Sequence, residues 1–218
     1  NKMTNIIPTK HSLSLVEEIA QNMYGGTYHH HFHILYDIRS MIEKKEINYF
    51  EIGTHYGASS CLMLSHPMRT NVYTLDLPYF PCGDANVAPD YIHKNVEKFG
   101  LPQNNFQLIL GDSRDIETIK NVKNTVKRTD ILFIDGDHKF DGQFVDFYYA
   151  GLLIEDKGYI VLHDTWMRST TYLVNYIKKN RKDFEHVPQE LRNICVFKKV
   201  GVDKRDWVHF EGFGGSSK

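Results

Sequence analysis

The sequence is short of cysteine, of net charge and of long apolar runs, and each shortage closes off a class of protein. Its three cysteines, Cys61, Cys82 and Cys195, are widely spaced among 218 residues with no CxxC pair. That pattern excludes a zinc ribbon and a disulfide framework and points to a reducing, cytoplasmic setting. Lys plus Arg number 26 against 27 acids, a formal net charge of −1, so no general field draws the chain to nucleic acid or to an anionic membrane. No apolar run approaches the roughly 20 residues of a membrane span, and the opening NKMTNIIPTKHS does not read as a signal peptide. There is no GxGxxG fingerprint for a pyrophosphate and no Asn-Pro-Pro-Tyr stretch of the nucleic-acid-modifying kind. The chain begins at Asn1 rather than Met, which raises the expectation of a domain cut from a larger protein.

What is present is an ordinary globular composition, 41% apolar and 24% charged, at a length that suits one full-sized domain. Apolar residues recur at helical spacing over 11–24 and 33–43, with the glycines of YGGTYHHHF marking a turn between them. After Lys45 the pattern changes to short apolar runs rich in Val, Ile, Leu, Phe and Tyr: INYFEIG, NVYTLDL, NFQLILGD, DILFIDGD and GYIVLHD. Such near-continuous runs suit a parallel sheet covered on both faces. Helical stretches near 57–65, 87–99, 113–123, 141–154 and 169–182 separate or follow them, and DFEHVP and NICVFKKV are placed to pair as an antiparallel hairpin. The expected fold is α/β: a Rossmann-like, doubly wound, mostly parallel seven-stranded sheet with a C-terminal antiparallel hairpin. It divides into an N-terminal helical extension or lid over 1–44, the main domain over 45–200 and a tail over 201–218, of which GFGGSSK looks flexible.

In open α/β sheets ligands bind beyond the carboxyl ends of the strands. Here those ends carry Glu51 and Gly53, Asp76, Asp112, then Asp135, Asp137 and His138, and finally His163 and Asp164. One acid at such a place is usually a helix cap or turn former; five strand ends in series are not explained that way. Gly53 and Gly57 allow a sharp turn into a helix whose N-terminus, near Ser59 and Ser60, can take a carboxylate. Asp76, some 23 residues after Gly53, stands where an acid takes both ribose hydroxyls, and Asp112 stands near an adenine edge. Ribose and adenine without a pyrophosphate loop describe S-adenosylmethionine better than a nicotinamide cofactor.

In order, FEIGTHYGASS, VYTLDLP, LGDSRD, FIDGDHKFDG and YIVLHDTW resemble the class I S-adenosylmethionine-dependent methyltransferases over about residues 45–200. Within them the chain is most similar to the small-molecule O-methyltransferases of the macrocin (sugar), caffeoyl-CoA and catechol type. The resemblance implies that Glu51, Gly53, Thr54, Gly57 and Ser59 meet the methionine part of the cofactor. It places Asp76 on the ribose, Asp112 and Ser113 on the adenine side, and Asp137 on the cofactor's amino group. Metal-dependent relatives bind a divalent ion through the acid that stands here as Asp135 and through acids at the fifth strand end, here His163 and Asp164. The resemblance implies Mg²⁺ or Mn²⁺ as the metal, and an imidazole in that set tells against Mg²⁺, because it suits Mn²⁺, Fe²⁺ or Zn²⁺ better. A metal-free version stays open, with His163 a base or orienting donor and Asp135 a helix cap. His138 replaces the lysine that relatives carry as general base and titrates nearer neutrality.

The implied activity is methyl transfer to a hydroxyl of a small molecule, a sugar first and a catechol-like phenol second. A metal-dependent hydroxylase-like protein on the same fold and a non-catalytic cofactor-binding module are the competing readings. Relatives often pair as dimers. The HHHFH stretch (His29–His31 and His33) is expected to be a lid or substrate-contacting segment rather than a metal box, because adjacent histidines point in different directions. Tyr79, Phe80 and Trp166 are candidate walls for the acceptor.

Overall fold

The computed structural model describes residues 5–25, 29–79 and 88–214. Phe80 and Cys82 lie outside the described residues. Two helices, α1 (Lys10–Asn22) and α2 (His33–Met41), precede β1 (Glu46–Ile52), α3 (Ala58–Leu64), β2 (Arg69–Asp76), α4 (Ala88–Lys98) and β3 (Phe106–Leu110). Then come α5 (Ile116–Val126), β4 (Thr129–Ile134), α6 (Phe140–Gly151), β5 (Ile154–His163), α7 (Arg168–Asn180), β6 (Phe184–Val187) and β7 (Ile194–Lys199). The strands form one seven-stranded sheet in the order β3-β2-β1-β4-β5-β7-β6. β1 to β5 are parallel, and β7 runs antiparallel between β5 and β6. The sequence expectation of a mostly parallel sheet with a closing hairpin is met.

Strand periodicity divides the core. Tyr49, Ile131 and Tyr159 are register partners, as are Phe50, Leu132 and Ile160. Because successive residues face opposite sides, the first set packs with Val16, Ile19, Ile34, Leu35, Ile38 and Leu62 from α1, α2 and α3. The second set packs with Phe147, Leu173 and Ile177 from α6 and α7. The N-terminal helices thus cover one face of the sheet. They are stitched to each other by Ser12, which caps α1 with Thr9 and also donates to Asp37 at 3.1 Å. The fully buried Arg39 then turns the chain into β1 by donating to the carbonyls of Ile42, Lys44 and Arg69 at 3.1 Å each.

Two boundaries differ from the periodicity. α5 starts at Ile116 rather than 113, because Asp115 accepts from the amides of Glu117 and Thr118 and so caps the helix. Part of the expected flexible tail is docked: Asn180 and Glu211 exchange hydrogen bonds, and Phe213 packs on Phe140 and Tyr176. Cys61 and Cys195 are buried and unpaired with each other. Among the described residues, no helix is long and apolar enough to cross a membrane.

Candidate active site

The order of the strands reverses between β1 and its neighbours β2 and β4, and a cavity of about 600 Å³ opens there at the carboxyl ends of the parallel strands. Its shape begins with Gly53. The chain leaves β1 at φ 86°, and a Cβ at this position would stand 2.2 Å from the Asp135 carbonyl oxygen. Only glycine combines that conformation with so close an approach of two loops. A second close approach involves Gly142 in α6, where a Cβ would meet an Asp137 carboxylate oxygen at 2.3 Å.

Asp76 ends β2 and is fixed by backbone donors. The amides of Thr54 and His55 donate to one oxygen at 3.0 and 2.7 Å, and that of Leu77 to the other at 2.7 Å. Burial is the largest influence on this carboxyl and raises it above the usual carboxylate range, against the pull of those amides. Asp112, after β3, accepts from one edge of the Arg114 guanidinium, Nε at 3.0 Å and Nη2 at 2.8 Å, and Arg114 depresses its carboxyl. The same guanidinium reaches Asp137 at 3.2 Å. Thr54, Ser59 and Ser113 line the cavity with these acids.

Two of the expected cofactor contacts do not reach the cavity wall. Glu51 is fully buried beneath it, accepting from Tyr49 at 2.5 Å and from Ser60. It sits one residue inside the end of β1, where the strand still points it into the sheet's helical layer, and it shapes the following loop from below. Gly57 takes φ 89° at the start of α3 and is likewise absent from the lining.

On the opposite side of the cavity the charges change character. His163 Nδ1 lies 2.9 Å from Asp135 and 3.3 Å from Asp164. His138 Nε2 lies 3.0 Å from Asp164 and 3.9 Å from Asp135. Burial alone would lower His163, but the two carboxylates outweigh it and push the ring up to about 9. His138 is raised chiefly by its hydrogen bond with Asp164. Burial would raise Asp164, yet the two histidines hold it far below the usual range. Asp164 adopts φ 54°, a left-handed conformation that side chains other than glycine rarely take, at the turn between β5 and α7.

HHHFH stands beside the cavity, with His29 in its lining. His30 to Phe32 form a single 3₁₀ turn with His29 at its cap. That turn lets His29 and His31 swing together against His163, with ring centroids 5.6 and 4.6 Å from it. The argument that neighbouring histidines diverge assumed a regular element; the tight turn removes it for positions 29 and 31. Among the described residues, two trios of side chains have ligand atoms within 4.8 Å of one another: Asp135, His138 and Asp164; and His29, His31 and His163. The expected metal residues Asp135, His163 and Asp164 are brought together at the cavity, with the His163 ring standing between the carboxylates and the His29–His31 pair. Tyr79 lines the cavity, while Trp166 stands outside the lining, exposed, with its indole donating to Asp164 at 2.9 Å. Sequence reasoning also missed Arg114, although LGDSRD displays it two residues after Asp112.

Comparison with known proteins gives this geometry a family. A profile described as a methyltransferase domain matches residues 50–165, more than half of the chain. An uncharacterized protein of Acanthamoeba polyphaga mimivirus is 37% identical over 147 residues, which is 67% of this chain and 64% of that protein, so this chain spans less than two thirds of its length. Among solved structures, an O-methyltransferase from Bacillus cereus in complex with S-adenosylhomocysteine superposes with a TM-score of 0.63 at 16% identity, covering 89% and 93% of the two chains. MycE methyltransferase from the mycinamycin biosynthetic pathway, in complex with Mg, S-adenosylhomocysteine and mycinamycin VI, does so with a TM-score of 0.61 at 15% identity, covering 92% of this chain and 57% of that one. Structures titled as rRNA methylases share the fold as well. The chain belongs to the methyltransferase-domain family and has the fold of the class I S-adenosylmethionine-dependent methyltransferases.

Proposed function

We propose that the chain is an O-methyltransferase that moves the methyl group of S-adenosylmethionine to a hydroxyl of a small molecule, a sugar or glycan in first place. The observation that carries this reading is the asymmetry of one cavity: Asp76, Asp112 and Asp137 on one side, and the Asp135–His138–His163–Asp164 cluster on the other. The first side suits the adenosyl and amino groups of a cationic donor, with Asp76 on the ribose and Asp112 with Ser113 beside the adenine. Thr54 and Ser59 remain as contacts at the methionine end, and Glu51 and Gly57 support the loop that carries them. The second side suits an alcohol that must lose a proton.

In the reaction the acceptor oxygen attacks the sulfonium methyl in line. The new O–C bond forms as the S–C bond breaks, the sulfonium becomes a neutral thioether, and the acceptor proton leaves to a base. Holding the two reactants in line supplies much of the acceleration. His138 is the proposed proton acceptor, positioned by its hydrogen bond to Asp164. The Asp135 and Asp164 carboxylates fit a divalent cation, since their oxygens and the His138 ring nitrogen converge within 4.8 Å; such an ion lowers the pKa of a bound hydroxyl and fixes its direction. On this reading His163, whose Nδ1 faces both carboxylates, orients them rather than joining them as a ligand.

The acids that dominate the lining favour a neutral hydroxylated acceptor over a phosphate backbone. The DGDH and HDT stretches, which resemble the macrocin-type sugar enzymes, favour a sugar ahead of a phenol, and MycE, solved with Mg, S-adenosylhomocysteine and mycinamycin VI, shares the fold. Calorimetry with S-adenosylmethionine and S-adenosylhomocysteine, followed by a methyl-transfer screen of sugar and catechol acceptors, tests the reading. Binding of both nucleosides at one site per chain and methylation of a hydroxylated acceptor are expected; failure to bind either nucleoside would sink it.

A further inference from the structure

We propose that His29, His31 and His163 form a site for a zinc-class divalent cation (Zn²⁺, Co²⁺ or Ni²⁺), separate from the carboxylate pair Asp135–Asp164. Ligand nitrogens of the three rings lie within 4.8 Å of one another. His31 and His163 are buried, and His29 is half-buried. The edges of Phe32 and Phe133 close round His163, at centroid distances of 5.5 and 5.9 Å. Imidazole is a borderline donor that suits zinc-class ions, whereas Mg²⁺ asks for oxygen ligands and keeps its waters.

The orientation of His163 carries the argument further. Its Nδ1 faces the Asp135 and Asp164 carboxylates at 2.9 and 3.3 Å, ion-pair distances without hydrogen-bond geometry. That leaves Nε2 as the atom on the far side of the ring, and it faces His31 Nε2. Two facing ring nitrogens are reconciled either by a shared proton or by a cation bound to both, and the third ring, His29, brings a further nitrogen that a shared proton does not use. A histidine whose second nitrogen faces a carboxylate is also a common arrangement behind a metal ligand, because the negative charge strengthens the donor on the far side of the ring. The carboxylates that serve the cavity thus present His163 to a second ion.

His29 and His163 both line the cavity. Three protein ligands with a fourth position open to substrate is the pattern of reactive rather than purely structural zinc sites. Taken with the methyl-transfer reading, on which only this last step rests, the ion would meet an acceptor oxygen. It would also tie the turn at 29–32 to the end of β5, an element 132 residues away in sequence.

The test is titration of metal-stripped full chain with Zn²⁺ and with Mg²⁺ by calorimetry, and with Co²⁺ by visible absorption. One zinc per chain is expected, bound at least ~100-fold more tightly than Mg²⁺, with cobalt bands of a low-coordinate nitrogen site. His31→Ala and His29→Ala should each weaken zinc by roughly 10- to 100-fold, as the loss of a ligand does at least, whereas His30→Ala should not. Should His31→Ala fail to fold, His29→Ala, at a half-buried position, and His31→Gln carry the comparison. Zinc binding that is no tighter than Mg²⁺, or that survives both His29→Ala and His31→Ala, would overturn the proposal. S-adenosylhomocysteine binding by the same variants is read separately: its absence in the parent protein speaks against the methyltransferase reading and leaves the zinc result standing.

Discussion

The two sides of the cavity are built by different means. On the acid side, Asp76 is held by backbone amides 21 and 22 residues away, and Asp112 by an arginine two residues on. Asp76 is fixed by the loop after the neighbouring strand β1, and Asp112 by the loop that follows its own strand. On the histidine side, His31 meets His163 across 132 residues, and His138 and His163 share Asp135 and Asp164. Short-range clamps fix Asp76 and Asp112 on the acid side. Long-range convergence makes the histidine side a property of the whole molecule. The lesson is that substitutions on the acid side should act one at a time, while those among the histidines and their carboxylates should be coupled.

Several substitutions would break or sharpen that contrast. The largest effect is expected where the sides meet, at Gly53→Ala. Left-handed strain plus the clash with the Asp135 carbonyl should cost about 3–4 kcal/mol in thermal or denaturant unfolding, and should weaken S-adenosylhomocysteine binding as well. A full-strength protein with unchanged nucleoside affinity would show that the close approach does not matter.

Asp146 gives the pH counterpart. It is fully buried in α6, and burial pushes its carboxyl up to about 7 against the pull of Ser113 and Arg114. An unfolded carboxyl titrates near 4, so the folded state holds a proton that the unfolded state releases. Stability from this group is therefore complete below pH ~4 and is lost as pH rises toward 7. Asp146→Asn should shift relative stability in the variant's favour by about 3 kcal/mol between pH 4 and pH 8, measured by denaturant midpoints; a gap that stays level with pH would refute the assignment.

Asp135→Ala should slow turnover by about 100-fold, roughly 2.7 kcal/mol, while nucleoside affinity stays within a few-fold of the parent. Equal losses in both would place Asp135 on the acid side instead. Asp76→Ala should do the reverse, weakening S-adenosylhomocysteine by about 30-fold, near 2 kcal/mol, as read by calorimetry. Trp166→Phe removes one exposed hydrogen bond to Asp164 and should cost no more than about 0.5 kcal/mol; a large fall in turnover would give this indole a place in the site that its position outside the cavity does not suggest.

Much of the acid side was legible in the sequence. The runs NVYTLDL, NFQLILGD and DILFIDGD carry acids at or just past their ends, and a parallel strand delivers its last residues to one rim of the sheet, so Asp76, Asp112 and Asp137 could be placed together from spacing alone. Glu51 was misplaced by a single step. At period two, one residue separates the rim from the layer beneath, and only the register with β2 and β4 decides which is which. His29 and His31 were the larger miss. Reasoning on regular elements sends neighbouring histidines apart, whereas a 3₁₀ turn at a helix entrance brings these two round, and nothing in HHHFH announces that turn.

By itself, then, the sequence determined the alternation of strand and helix, the doubly wound sheet with its closing hairpin, and the acids along its rim, because hydrophobic periodicity and strand-end position are local properties. Tertiary structure alone decided that Glu51 lies below the floor, that Arg114 joins Asp112 to Asp137, and that two histidines from the N-terminal segment meet a third at the end of β5. Those contacts depend on register and on the closure of long loops, and the identities of neighbouring residues do not encode either.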